Sequence, residues 1–79
     1  MLFKEAISKR ILDLCKENNL TPNSLSEKST IAPSTLYDII SCKVENPSSL
    51  LLFQICKVFR ISLKDFFDSD LFDKNNIID

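Results

Sequence analysis

A chain of 79 residues, 44% apolar and 27% charged, has room for one small globular domain and excludes a multidomain architecture. Its formal net charge of -1 does not announce a nucleic-acid binder, and its lack of histidine removes the commonest metal ligand and general base. Three cysteines, Cys15, Cys42 and Cys56, are an odd number without a C-x-x-C pair, which argues against a disulfide framework and a zinc site.

The first element is predicted from about Lys4 to Asn18. Ile7, Ile11, Leu14 and Cys15 recur at i, i+4, i+7 and i+8, one face of a helix, and Lys9, Arg10, Asp13, Lys16 and Glu17 fall on the remaining surface. Thr21-Pro22 reads as an N-cap followed by proline at the first helical position. That second helix is short, ends near Ser29, and is anchored by Leu25. After the turn Thr30-Ile31-Ala32, a third helix starts at Pro33 and reaches about Ser41, with Leu36, Ile39 and Ile40 inward.

A loop over 42–47 precedes a fourth helix, capped by Asn46 or Ser48 and running to about Phe59, with Leu51, Leu52, Ile55, Cys56 and Phe59 facing inward. Ser62 and Asp65 form a weak capping box for a last short helix carrying Leu63, Phe66 and Phe67. Prolines 22, 33 and 47 all fall at helix starts, and no period-2 run competes, so no sheet is expected.

Charge is unevenly distributed. Residues 1–64 carry nine Lys/Arg against six Asp/Glu, a surplus of three positive charges. Residues 65–79 carry one Lys against five Asp, a surplus of four negative ones. The division expected is a helical domain over 1–68 and an acidic C-terminal tail over 69–79. Leu71, Phe72, Ile77 and Ile78 in that tail are candidates for a subunit contact or for packing on the chain's own domain. No secretory leader and no membrane segment are evident, so a cytoplasmic location and no membrane partner are expected.

Two short helices joined by a three-residue turn that buries an aliphatic, here Ile31, have the geometry of a helix-turn-helix. In such a unit one helix braces on the DNA backbone while the next lies in the major groove. The order and spacing of residues over roughly 5–67 resemble the Cro- and phage-repressor-like helix-turn-helix regulators, the XRE family. The resemblance is carried by Leu20-Thr21, Leu25-Ser26-Glu27-Lys28-Ser29, Ile31, Ser34-Thr35-Leu36, Ile39, Lys43, Asn46-Pro47-Ser48, Leu51-Leu52, Ile55-Cys56 and Ser62 to Phe67.

The resemblance implies an all-α fold, a compact five-helix bundle of the lambda-repressor-like type, acting as a transcriptional regulator and commonly dimeric. The family usually has Gln at Pro22, Ala at Ser26, Arg at Cys15, and Gly at Asn19, Thr30, Cys42 and Arg60. This chain has no glycine. Its helices must therefore end on residues with a Cβ, at about 1–2 kcal/mol for each left-handed residue.

The resemblance further implies that the third helix presents Pro33, Ser34, Thr35, Tyr37, Asp38 and Ser41 as base-reading candidates. Ser34 serves several bases, Asp38 accepts from a cytosine amino group, and Pro33 meets a thymine methyl. Backbone candidates are Thr21 and Asn23 at the start of the second helix, Lys28 within it, and Lys43 past the third. Cys15 and Cys56 are expected in the core, Cys42 at an exposed helix end, and Phe53, Phe59, Phe66 and Phe67 in the core or on a dimer face.

The function expected is sequence-specific double-stranded DNA binding by a homodimeric, repressor-like regulator. The alternative is a protein-interaction module on the same scaffold with weak or lost DNA binding, toward which the acidic balance and Asp38 lean. No enzyme, cofactor, metal or small-molecule substrate is expected, because neither an acid–base pair nor a phosphate loop is present.

Overall fold

The computed structural model describes residues 1–79 and contains five α-helices and no strand. They are α1 (Phe3–Glu17), α2 (Pro22–Ser29), α3 (Pro33–Ile40), α4 (Ser49–Phe59) and α5 (Leu63–Phe67), followed by a 3-10 turn over Asp70–Phe72. Each predicted helix is present to within a residue or two. No helix is long and apolar enough to cross a membrane.

The caps explain the boundaries. Thr21 Oγ1 accepts from the Ser24 N–H at 3.1 Å, and Pro22 occupies the first position of α2, where its missing N–H costs nothing. Ser48, not Asn46, caps α4 by accepting from the Leu51 N–H at 3.1 Å. Pro47 therefore lies one residue outside the cap and is buried, rather than opening the helix. The Ser62–Asp65 box forms in both directions, at 3.0 and 3.4 Å. At α1 the cap residue is Leu2, which has no acceptor. Its N–H instead donates to Glu5 Oε1 at 2.7 Å, and the Phe3 N–H donates to Asp79 Oδ1 at 2.9 Å.

Four residues adopt left-handed backbone: Asn19 (φ 55°), Thr30 (60°), Cys42 (64°) and Arg60 (59°). They are the four positions at which the resemblance calls for glycine. Three of them close their helices with a paired C-terminal motif. After α1 the N–H of Leu20 donates to Cys15 O at 2.8 Å and that of Asn19 to Lys16 O at 3.3 Å. Lys43 and Cys42 repeat this on Asp38 and Ile39, and Ile61 and Arg60 on Cys56 and Lys57. The hydrogen bonds satisfy carbonyls that the helix leaves open, and they hold side-chain-bearing residues in a conformation suited to glycine.

The core is one cluster drawn from every helix: Ile7, Ile11 and Leu14 of α1, Leu25 of α2, Leu36 and Ile39 of α3, Leu52, Ile55 and Phe59 of α4, and Phe66 of α5. Ile31, in the α2–α3 turn, joins it at 5% exposure. Cys15 and Cys56 are buried, and burial pushes both thiols up from their ordinary range. Cys42 is half-buried, its thiol 3.8 Å from Lys4 O. Of the four phenylalanines expected in the core or on a dimer face, Phe59 and Phe66 are in the core, while Phe53 and Phe67 are exposed, at 45% and 36%.

Segment 69–79 folds back on α1. The Phe72 ring lies 4.9 Å from Phe67, 6.0 Å from Phe66 and 6.1 Å from Phe3, centroid to centroid. The Ile78 N–H donates to Met1 O at 3.0 Å. Of the apolar residues in this segment, Phe72 packs on the core, Leu71 and Ile77 are half-buried, and Ile78 is exposed. Arg10, expected on the surface, is half-buried and donates through Nε to Phe66 O at 2.7 Å and through Nη2 to Asp65 O at 2.9 Å. It satisfies the last carbonyls of α5 and ties that helix to α1.

Two outcomes follow. Thr30→Gly relieves left-handed strain and raises stability by about 1 kcal/mol, a melting shift of about 4–8 °C read by circular dichroism. Cys42→Gly behaves likewise; a fall in melting temperature for both variants contradicts the assignment of strain. A thiol-alkylating reagent near neutral pH modifies Cys42 first, while Cys15 and Cys56 react only as the domain unfolds, followed by mass spectrometry.

Candidate nucleic-acid interface

The candidate site is built on α2, the turn after it, and α3. Its geometry rests on a buried serine. Ser26 is 4% exposed, and its hydroxyl donates to Ile31 O at 2.6 Å, across the turn. Ser29, also buried, donates to Ser26 O at 3.3 Å and accepts from the Ile31 N–H at 3.4 Å. Both backbone polar groups of Ile31 are thus paired while its side chain enters the core, as a buried turn requires.

With Ile31 and Leu36 pinned in the core, the opposite side of α3 stands clear. At 3.6 residues per turn Pro33, Tyr37, Ser41, Ser34 and Asp38 span an arc of about 140°. Pro33, Ser34, Tyr37 and Ser41 are exposed, Tyr37 at 62%, and Asp38 is half-buried at the arc's edge. Thr35 falls outside the arc, next to Ile39, and is half-buried. The Ser41 hydroxyl is engaged, donating to Tyr37 O at 2.8 Å, so only its lone pairs face outward.

The N-terminus of α3 has no side-chain cap, because its cap residue is Ala32. The Ser34 and Thr35 N–H groups have no partner within the chain. They and the positive end of the helix dipole lie at the exposed end of the arc, an arrangement that suits an anion or a base-edge acceptor. The N-terminus of α2 lies alongside. Pro22, Asn23 and Ser26 line one wall of a groove of about 230 Å³, and Pro33, Tyr37 and Ile40 line the other.

The backbone candidates are placed differently from one another. Asn23 is exposed, with its N–H unpaired beside this groove. Thr21 is exposed too, but its hydroxyl is spent on the cap, accepting from Ser24 N–H and donating to Ser24 Oγ at 3.1 Å. Lys43 lies with Nζ 5.3 Å from the centroid of Tyr37, which holds a cation against the exposed face of α3. Lys28 is elsewhere: it lines a separate groove with Lys57 and Arg60, at the opposite end of α2 from Thr21. The structure therefore brings Asn23, Lys43 and the α3 arc together and sets Lys28 apart. Ser26 and Ser29 went unrecognised as the pair that fixes the turn. The sequence signal was serine at the position the resemblance gives to alanine.

Two short helices joined by a buried turn, the second with one face clear of the core, define a helix-turn-helix. Residues 10–70 match the Cro/C1-type HTH DNA-binding domain, and the chain belongs to that family. The fold is shared with the crystal structure of the prophage Lp1 protein 11, at a TM-score of 0.84 and 24% identity, over 94% of this chain and 99% of that one. No curated protein sequence matches the chain.

Ser26→Ala leaves Ile31 O without its partner and lowers stability by about 1–2 kcal/mol, measured by urea denaturation. Because the bond lies beneath the exposed arc, Ser26→Ala also increases amide exchange in the 29–35 segment. Unchanged exchange there contradicts its role as the turn's fastener.

Proposed function

We propose that this protein is a sequence-specific double-stranded DNA binder, a repressor-like transcriptional regulator that occupies its operator as a homodimer. Two α3 helices then enter successive major grooves about one DNA turn apart. The observation that carries this reading is the clear arc of α3, with its uncapped N-terminus and with Asn23 and Lys43 both beside Tyr37. Membership in the Cro/C1-type family supports it. A cytoplasmic site of action accords with that role.

Within this reading Ser34, with Pro33, Tyr37 and Ser41 around it, meets base edges. Asp38 reads a cytosine amino group, and Thr35 supports the helix at the groove's edge. Asn23 and Lys43 hold phosphates, joined by the free N–H at the start of α2, and Thr21 orients that N-terminus through its cap. Lys28 contributes a long-range attraction to the duplex rather than a contact in the same patch.

A second reading, a protein-interaction module, is favoured by the largely apolar lining of the groove between Pro22 and Tyr37 and by the lack of Arg, Asn or Gln in α3. It assigns that groove to a protein partner, with DNA binding weak or lost.

Selection from a random duplex library tests both. The selected duplex binds with an affinity that falls steeply with salt, by a log–log slope of several units. Ser34→Ala and Asp38→Ala each change preference at a single base pair by about 1–3 kcal/mol, whereas Lys43→Ala weakens all duplexes alike and lowers the slope by about one. No enrichment at low salt refutes DNA binding. Unchanged preference in both arc variants refutes α3 as the reader.

A further inference from the structure

We propose that the groove walled by Lys28, Lys57 and Arg60 docks the Asp68–Asp73 segment of a second copy of this chain, a head-to-tail contact distinct from a two-fold dimer. The groove, about 480 Å³, lies where the C-terminal ends of α2 and α4 converge. Its lining contains three cations, all exposed, and no acid, with Ser29, Thr30 and Gln54 supplying polar neighbours. Two helix C-termini bring about half a negative charge each, which leaves the groove clearly positive. Lys57 is held in place, its Nζ 5.6 Å from the Phe53 ring centroid.

The complementary surface is on the same chain. Asp68, Asp70 and Asp73 are exposed around a concavity of about 410 Å³ whose lining contains no cation. None of these six charged side chains is in an ion pair; the chain's two ion pairs are Lys4–Glu45 and Lys9–Asp13.

The two patches do not neutralise each other within one molecule, because they lie at opposite ends of α4. Phe67, in the acidic concavity, also lines a groove with Ser48 and Ser49 at the start of α4. Lys57 and Arg60 lie at its end. Eleven residues of helix, about 16 Å, separate them. Opposite charges at opposite ends pair between copies, and because the two surfaces differ, the contact is heterologous and propagates as an open chain. It requires neither DNA nor the homodimer of the proposed function.

Sedimentation of the full chain tests this. At low ionic strength the average mass rises with concentration past a dimer; in about 1 M salt, where the Debye length is about 3 Å, the rise disappears. The double variant Lys57→Glu/Arg60→Glu, and separately Asp68→Lys/Asp70→Lys, each weaken self-association about tenfold or more. An equimolar mixture of the two restores it, because each inverted patch then faces its opposite. Lys28→Glu, on the other wall, repeats the loss from a different helix, and circular dichroism confirms that every variant is folded.

A mass independent of concentration, or a mixture that fails to associate, overturns the proposal. So does a Lys57→Glu/Arg60→Glu protein whose salt slope for duplex binding falls by about two at concentrations too low for self-association, since the groove then contacts the DNA backbone directly. A dimer that persists in high salt leaves the proposed two-fold assembly intact, so the two readings fail separately.

Discussion

The relation between α2 and α3 depends on a turn that is buried at Ile31 and left-handed at Thr30. A buried turn must pair its own backbone polar groups, and a sequence without glycine must do so with a side chain on the residue that bends. Ser26 and Ser29 supply the pairing from the last two turns of α2. With that achieved, Ile31 and Leu36 anchor the far side of α3 in the core, and the exposed arc follows from helix geometry alone.

The rest of the bundle holds this unit from two sides, with α4 packed on α2 and α1 packed on α3. Ser8 donates to Ile40 O at 2.5 Å at the end of α3. Lys4 pairs with Glu45 at 2.6 Å, tying the start of α1 to the loop before α4, and that hydrogen bond raises the Lys4 ammonium above its usual range. Arg10 fastens α5. These tethers act on backbone carbonyls and a loop carboxylate at positions where helices end. They fix the distances between helix ends, while the apolar cluster fixes which faces meet.

Much of the architecture was readable because independent local signals agree. Periodicity located the inward faces of α1, α3 and α4, and Thr21-Pro22 and Ser62–Asp65 marked starts that the structure retains. The left-handed positions were readable only through the resemblance, since Asn19, Thr30, Cys42 and Arg60 share no residue type. What escaped were contacts between residues far apart in the chain. Nothing local distinguishes Arg10 from a solvated arginine, or Phe72 from an apolar residue in an acidic tail. Their roles exist only once residues 55–69 positions away are in place. At the candidate interface the exposed arc was legible from the helical period. The separation of Lys28 from Lys43 was not, because Lys28 packs beside α4 and Lys43 against the Tyr37 ring of α3.

The return of segment 69–79 to α1 gives the domain two tiers of cohesion. The helix-turn-helix is held by the common core, whereas the terminal segment is held by Phe72 on three neighbouring rings and by a few exposed hydrogen bonds to residues 1–3. Its exposed bonds compete with water. The terminal segment is thus the first unit to open by sub-global unfolding, and its release bares Phe3, Phe66 and Phe67 while α2 and α3 keep their mutual packing. The protein can therefore sample a partly open state with its helix-turn-helix intact.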